Sequence, residues 1–206
     1  MFSARNIIVL LIIFAASGFA FLLLRQSSPP IIAPSPTPTE SSNIVTIQSV
    51  PEIETSEVHS PDGKMKLIME KTANGENMTY SFSVSETAQN IRNEIYSKTV
   101  LPGTNFELFP NAWSPDNKYF FITEENITSV DYFVFKANGE SISSSEQYIN
   151  VVPLFVARNT GFTLSEITGW DSETLLHIYT TREDGSRGAS FWFEIPSKAI
   201  IQLASR

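Results

Sequence analysis

His59 and His177 are the only side chains of this sequence that ordinarily titrate near neutral pH, so proton-transfer chemistry would have to run through them or through carboxylates. The chain has no cysteine, which removes disulfides, thiolate metal sites, a cysteine nucleophile and a lipid-modified cysteine anchor together. It also has no Gly-x-Ser-x-Gly elbow for a serine nucleophile. Acidic residues are scattered, as in Glu124-Glu125 and Glu183-Asp184-Gly185, without the spacing of a calcium loop or a histidine-based metal motif. They read as a solvated acidic face. His59 and His177 both read as packing positions of strands. No catalytic residue, metal ligand or cofactor is therefore assigned, and the chain is read as a non-enzyme.

The aromatic residues offer binding instead of catalysis. Along the segment at 189–195, Ser190, Trp192 and Glu194 share one strand face while Phe191, Phe193 and Ile195 share the other. A half-polar face that carries a tryptophan suits contact with a partner or a glycan, and Trp192 is the partner-binding candidate. The formal net charge is −8, with 22 acids against 14 bases. No run of Lys and Arg interrupts this acidity. The field repels phosphate backbones, which excludes nucleic acid as a partner.

The elements that must position these residues read as short strands. Segments rich in Val, Ile, Thr, Tyr and Phe recur between turn residues, and no apolar period of 3.6 appears after Asn43. The expected strands are 44–50, 65–71, 78–85, 94–100, 119–124, 130–136, 151–157, 174–181, 189–195 and 199–203. Within 130–136 both faces are apolar, and Tyr119 to Ile122 is apolar without a break, so the middle of the domain is expected to be covered on both sides.

The sequence also repeats itself. HSPDGKMKLIME at His59 to Glu70 aligns with WSPDNKYFFITE at Trp113 to Glu124, and a weaker copy, GWDSETLLHIYT, runs from Gly169 to Thr180. In this alignment Trp170 lies over Trp113, Glu173 over Asp116 and His177 over Phe120. Ser60, Pro61, Asp62 and Gly63, like Ser114, Pro115, Asp116 and Asn117, form a structural turn. Proline presets φ, aspartate bonds nearby amides, and Gly or Asn accepts a positive φ. Trp113 and Trp170 are expected in the repeat core. The units fall at roughly 56–105, 106–160 and 161–206.

The stretch Trp113-Ser114-Pro115-Asp116-Asn117-Lys118 followed by Tyr119-Phe120-Phe121-Ile122 resembles the WD40-like β-propeller repeat of the TolB type. The same repeat occurs in the propellers of dipeptidyl-peptidase and prolyl-oligopeptidase relatives. The resemblance implies four-stranded blades and a platform for protein contacts. A closed propeller needs at least four blades and this chain offers three, so the expected fold is an all-β, open or incomplete propeller-like array, with a β-sandwich as the alternative architecture. An open array leaves two ends to be covered by a protein partner or by homodimerisation.

Ahead of the domain, Ile7 to Leu24 is apolar and uncharged over about 18 residues, or about 27 Å of helix, enough to span a bilayer. The expected plan is a short cytoplasmic end at 1–5, a transmembrane anchor at 6–24, a Pro-rich linker at 25–43 that reaches at most about 50 Å, and an extracytoplasmic domain at 44–206. A cleaved signal peptide is the competing reading of the anchor. The expected function is a membrane-tethered binding module, with an assembly subunit of an envelope complex second and an enzyme acting on envelope polymers third.

Overall fold

The computed structural model describes residues 52–89 and 91–204. The anchor, the linker and the expected strand at 44–50 lie outside the described residues, and no helix among the described residues is long and apolar enough to cross a membrane. The described chain forms three four-stranded antiparallel sheets and one short helix.

The first sheet is an up-and-down meander of β1 (Ile53–His59), β2 (Met65–Asn74), β3 (Asn77–Glu86) and β4 (Arg92–Val100). The second joins β5 (Asn105–Glu107), β6 (Tyr119–Glu125), β7 (Val130–Lys136) and β8 (Ile149–Asn150) in the same order. The third consists of β9 (Thr163–Trp170), β10 (Leu175–Thr181), β11 (Phe191–Glu194) and β12 (Ala199–Gln202). There are three sheets rather than two, so the sandwich alternative does not describe the domain.

One expected strand is a helix. Residues 151–157, VVPLFVA, form α1 (Val151–Ala157), capped by the Asn150 side chain, which accepts a hydrogen bond from the Val152 amide at 3.2 Å. Pro153 fits because the first turn of a helix leaves its amides without intrahelical partners, so a missing N–H costs nothing there. Val151 and Phe155 bury themselves one helical turn apart. Four strands, β1, β5, β8 and β9, lie outside the expected segments; β1 is mostly exposed, and both β1 and β9 lack the apolar alternation that marks a strand.

The middle sheet is apolar on both faces, as its patterning requires. Phe120, Ile122, Phe133 and Phe135 pack with Leu67, Tyr80 and Phe82 of the first sheet, while Phe121, Tyr132 and Val134 pack with Leu176, Ile178 and Phe193 of the third. Strand register makes this division: Phe120 sits opposite Phe135 and Phe121 opposite Val134, so neighbouring residues point into different cores. Each such side chain removed from water contributes about 1.5–3 kcal/mol. Phe120 and Phe135 stack at 5.4 Å between ring centres.

The two Ser-Pro-Asp turns are the same structure atom for atom. In the first, Ser60 Oγ donates to Asp62 Oδ1 at 2.8 Å and accepts from the Met65 amide at 3.0 Å, and Asp62 Oδ1 also accepts from the Lys64 amide. In the second, Ser114, Asp116, Tyr119 and Lys118 repeat every bond, with the first again at 2.8 Å. Gly63 and Asn117 hold the left-handed position at φ 72° and 60°. The Lys64 amide, then the Ser60 hydroxyl, hold the Asp62 carboxyl down to about 2 from its ordinary value of 3.8. Burial pushes Asp116 up, but bonds from Lys118 and Ser114 outweigh it and the net direction is again down.

A carboxyl depressed in the folded state contributes stability above its unfolded value and loses it as pH falls through its folded value. Stability is therefore expected to stay level down to about pH 4 and to decline below that. An Asp62→Asn, Asp116→Asn variant should have a shallower acid limb in urea titrations at pH 2–6; an unchanged limb would show that the turns do not cause the decline.

Candidate binding face of the third sheet

The repeat tryptophans act as latches between successive units. Trp113 Nε1 donates to the carbonyl of Val58 at 3.1 Å, and Trp170 Nε1 donates to the carbonyl of Ala112 at 2.9 Å. Val58 precedes His59, and Ala112 precedes Trp113, so each indole reaches the residue just before its own counterpart in the preceding repeat. Trp113 is buried in the first core and Trp170 packs half-buried on the second, stacked on Tyr119 at 6.2 Å. His59 stands where the first latch would be. It is not a packing residue, since its side chain is 53% exposed and faces Glu57 at 3.6 Å.

The third repeat departs from the other two by one residue, and a site follows from it. Trp113 bridges Phe120 seven positions on, and His59 pairs with Lys66 at the same separation, whereas Trp170 pairs with Leu176, six positions on. The third turn is thus one residue shorter, closed by the Asp171 amide donating to Leu175 O at 2.9 Å. Leu176 therefore occupies the place of Phe120, and His177 moves to the opposite face. Asp171 takes the position of Ser114, but its carboxylate does not staple the turn. Asp171 Oδ2 accepts from His177 Nδ1 at 2.6 Å and from Trp192 Nε1 at 2.5 Å. This single oxygen fixes the orientation of both rings.

Residues Phe191, Phe193 and Ile195 face the core while Trp192 lies on the outer face beside His177, its cross-strand partner on β10. Tyr179 continues the row, 4.6 Å from His177 between ring centres, and the guanidinium of Arg187 lies 4.7 Å from the centre of the Tyr179 ring. Together with Arg182 these side chains line a cavity of about 1050 Å³ on the outside of the third sheet. Gly188 lines it too, and a Cβ there would meet Thr180 Oγ1 at 2.3 Å and the Phe162 ring at 2.7 Å, so the hairpin lies close on its neighbours.

Among the described residues His177 Nε2 is enclosed and has no hydrogen-bond partner. Among the described residues no group of three or more His, Asp or Glu converges as a metal site. What the geometry offers is recognition: flat rings held rigid, hydrogen-bond donors and a concave wall. Of the sequence candidates, Trp192 lies in this cavity; the Ser-Pro-Asp turn residues and Trp113 do not. Asp171, His177, Tyr179, Arg182 and Arg187 were not singled out as binding residues by the sequence. The turn after Trp170, one residue shorter than the Ser-Pro-Asp turns, is the signal that points to Asp171 and His177.

Glu124 also departs from expectation. It is 8% exposed rather than solvated, and both of its carboxylate oxygens accept from Lys98 Nζ, at 2.8 and 2.5 Å, bridging β4 of the first sheet to β6 of the second.

No protein-family model matches the chain, and no curated protein matches it. Among solved structures, the crystal structure of TolB from Acinetobacter baumannii is similar at a TM-score of 0.36 and 15% identity, over 76% of this chain and 33% of that one. The chain spans about a third of the length of that protein.

Proposed function

We propose that this protein is a membrane-tethered, extracytoplasmic binding module whose third sheet docks a protein partner. The apolar stretch at 6–24 serves as the anchor and the proline-rich stretch at 25–43 as the spacer. The repeats that begin at His59, Trp113 and Trp170 support reading the domain as an incomplete, propeller-like array of the WD40-like type, used as a platform and not as an enzyme.

The observation that carries this reading is the contrast between the two outer faces. The outer face of the first sheet is closed by its own polar side chains. Thr79 bonds Thr99 at 2.8 Å, Ser81 bonds Ser97 at 3.1 Å, Arg92 bonds Ser83 at 2.7 Å, and Arg92 pairs with Glu70 at 2.6 Å. Such a face is satisfied in water. The third sheet instead presents Trp192, Tyr179 and His177 around a cavity. A second copy fits less well than a different protein. An isologous pair through this face would set arginines against arginines, on two chains of net charge −8 each.

Placing a photo-crosslinking amino acid at position 192 of the full chain, in its native membranes, should yield an adduct of one discrete mass. The same probe at position 81 should yield none. Absence of an adduct at 192, or the same products at both positions, would sink the reading.

A further inference from the structure

We infer that the segment received by the third sheet is an acidic peptide, a carboxylate of which is held by Arg182 and Arg187. This rests on the protein-docking reading above and adds the chemistry of the partner.

The inference starts from where the positive charges of the domain go. Among the described residues every lysine, and Arg92, forms an ion pair with a carboxylate. Among the described residues the arginines without such a pair are Arg158, at the C-terminal cap of α1, and Arg182 and Arg187. Acids outnumber bases in this chain by 22 to 14, so carboxylates are plentiful. Arg182 and Arg187 thus bring two guanidinium groups without an ion-pair partner among the described residues to the wall of one cavity.

Both arginines are already held in place. Arg182 donates from Nη1 to the carbonyl of Arg187 and to Ser186 Oγ, and Arg187 lies over the Tyr179 ring at 4.7 Å. The turn between them is closed by the Gly185 amide donating to Arg182 O at 3.0 Å and by the Arg182 amide donating to Ser186 O at 2.8 Å. Side chains ordered before binding lose less conformational entropy on contact, and a guanidinium can meet a carboxylate through two parallel hydrogen bonds.

Among the described residues no carboxylate comes within ion-pair distance of these arginines, although the charge of Arg182 contributes to holding the Asp184 carboxyl below its ordinary value, after the hydrogen bonds from Ser186. Asp184 is engaged by its own turn, accepting from the Ser186 amide at 2.9 Å and from Ser186 Oγ at 2.6 Å. Asp171 is engaged by His177 and Trp192. A carboxylate brought from outside thus finds donors that no carboxylate of the described residues fills. Beside them, Trp192 and Phe162 give apolar wall, and the cavity, about 1050 Å³, holds several residues of an extended chain rather than a single ion.

The test uses the full chain in detergent and dye-labelled heptapeptide pools built from Phe, Leu, Gly and Ser with Glu, with Gln in place of Glu, or with Lys in place of Glu. Fluorescence anisotropy should rank Glu well above Gln, and Gln above Lys. Arg182→Ala with Arg187→Ala should weaken binding of the Glu pool roughly tenfold or more and bring it to the level of the Gln pool. Arg158→Ala, which removes the unpaired arginine outside this cavity, should leave it within twofold.

Equal binding of the Glu and Gln pools, no measurable binding of any pool, or an Arg182, Arg187 variant that binds the Glu pool as the native chain does would each overturn the inference. So would preferential binding of an acidic oligosaccharide over the Glu pool. In these cases a crosslink at position 192 that persists unchanged in the Arg182, Arg187 variant would leave protein docking standing and discard only its acidic chemistry. Loss of that crosslink in the native chain would discard both.

Discussion

Trp113→Ala is expected to destabilise the domain by about 3–5 kcal/mol, read as a shift of the urea midpoint at unchanged slope. The residue is 3% exposed, its ring packs on Phe120 at 5.7 Å, and its indole N–H is tied to Val58 O at 3.1 Å. Truncation removes apolar area, leaves a void between the first two sheets and breaks the bond that joins one repeat to the next. Trp113→Phe keeps most of the area and should cost about 1–2 kcal/mol, the share of the hydrogen bond and the smaller ring. His59→Ala, at the equivalent position with no preceding repeat to grip, should stay within about 0.5 kcal/mol. Similar losses at 59 and 113 would mean that the latch is not what holds these sheets together.

The second large effect is expected at the ion pair between the first and second sheets. Lys98→Ala leaves the Glu124 carboxylate 8% exposed with its cation gone, a mechanism that costs about 3–5 kcal/mol for a fully buried pair. The Lys98 side chain is 37% exposed, so water screens part of the interaction and about 2–3 kcal/mol is the expected loss. Lys98 Nζ also lies 5.8 Å from the Phe106 ring centre and 5.7 Å from that of Phe133. Replacing both partners, Lys98→Met with Glu124→Gln, should return stability to within about 1.5 kcal/mol of the native chain, because no isolated charge is then left inside. A double-mutant cycle in urea measures the coupling. If the double replacement is as unstable as Lys98→Ala, a stranded charge is not the cause.

Much of the local architecture was legible from the chain because its causes are local. Every bond of the Ser60 and Ser114 turns spans at most five residues, so residue types and spacing sufficed to predict two like turns, each feeding a strand. The double-sided burial of the middle sheet was legible for the same reason, since alternate residues of a strand face opposite ways and both sets were apolar. The segment 151–157 was not, because a run of Val, Leu and Phe suits either a strand or a helix of that length. The Asn150 cap, together with the end of β8, decided it. His59 was misplaced because alignment to Trp113 carries no information about whether a carbonyl stands opposite.

The sequence by itself determined the repeats, the two Ser-Pro-Asp turns, the equivalent positions of Trp113 and Trp170 and the half-polar strand face on which Trp192 lies, while the carbonyls that the two indoles grip came only from the tertiary structure. Only the tertiary structure decided which of the acids and bases found each other. Asp171, His177 and Trp192 come together because a turn is one residue short, which moves His177 across the sheet to the side of Trp192. Arg182 and Arg187 have no carboxylate within ion-pair distance among the described residues because pairing depends on distances across strands and loops, and those distances are not written in the order of the residues.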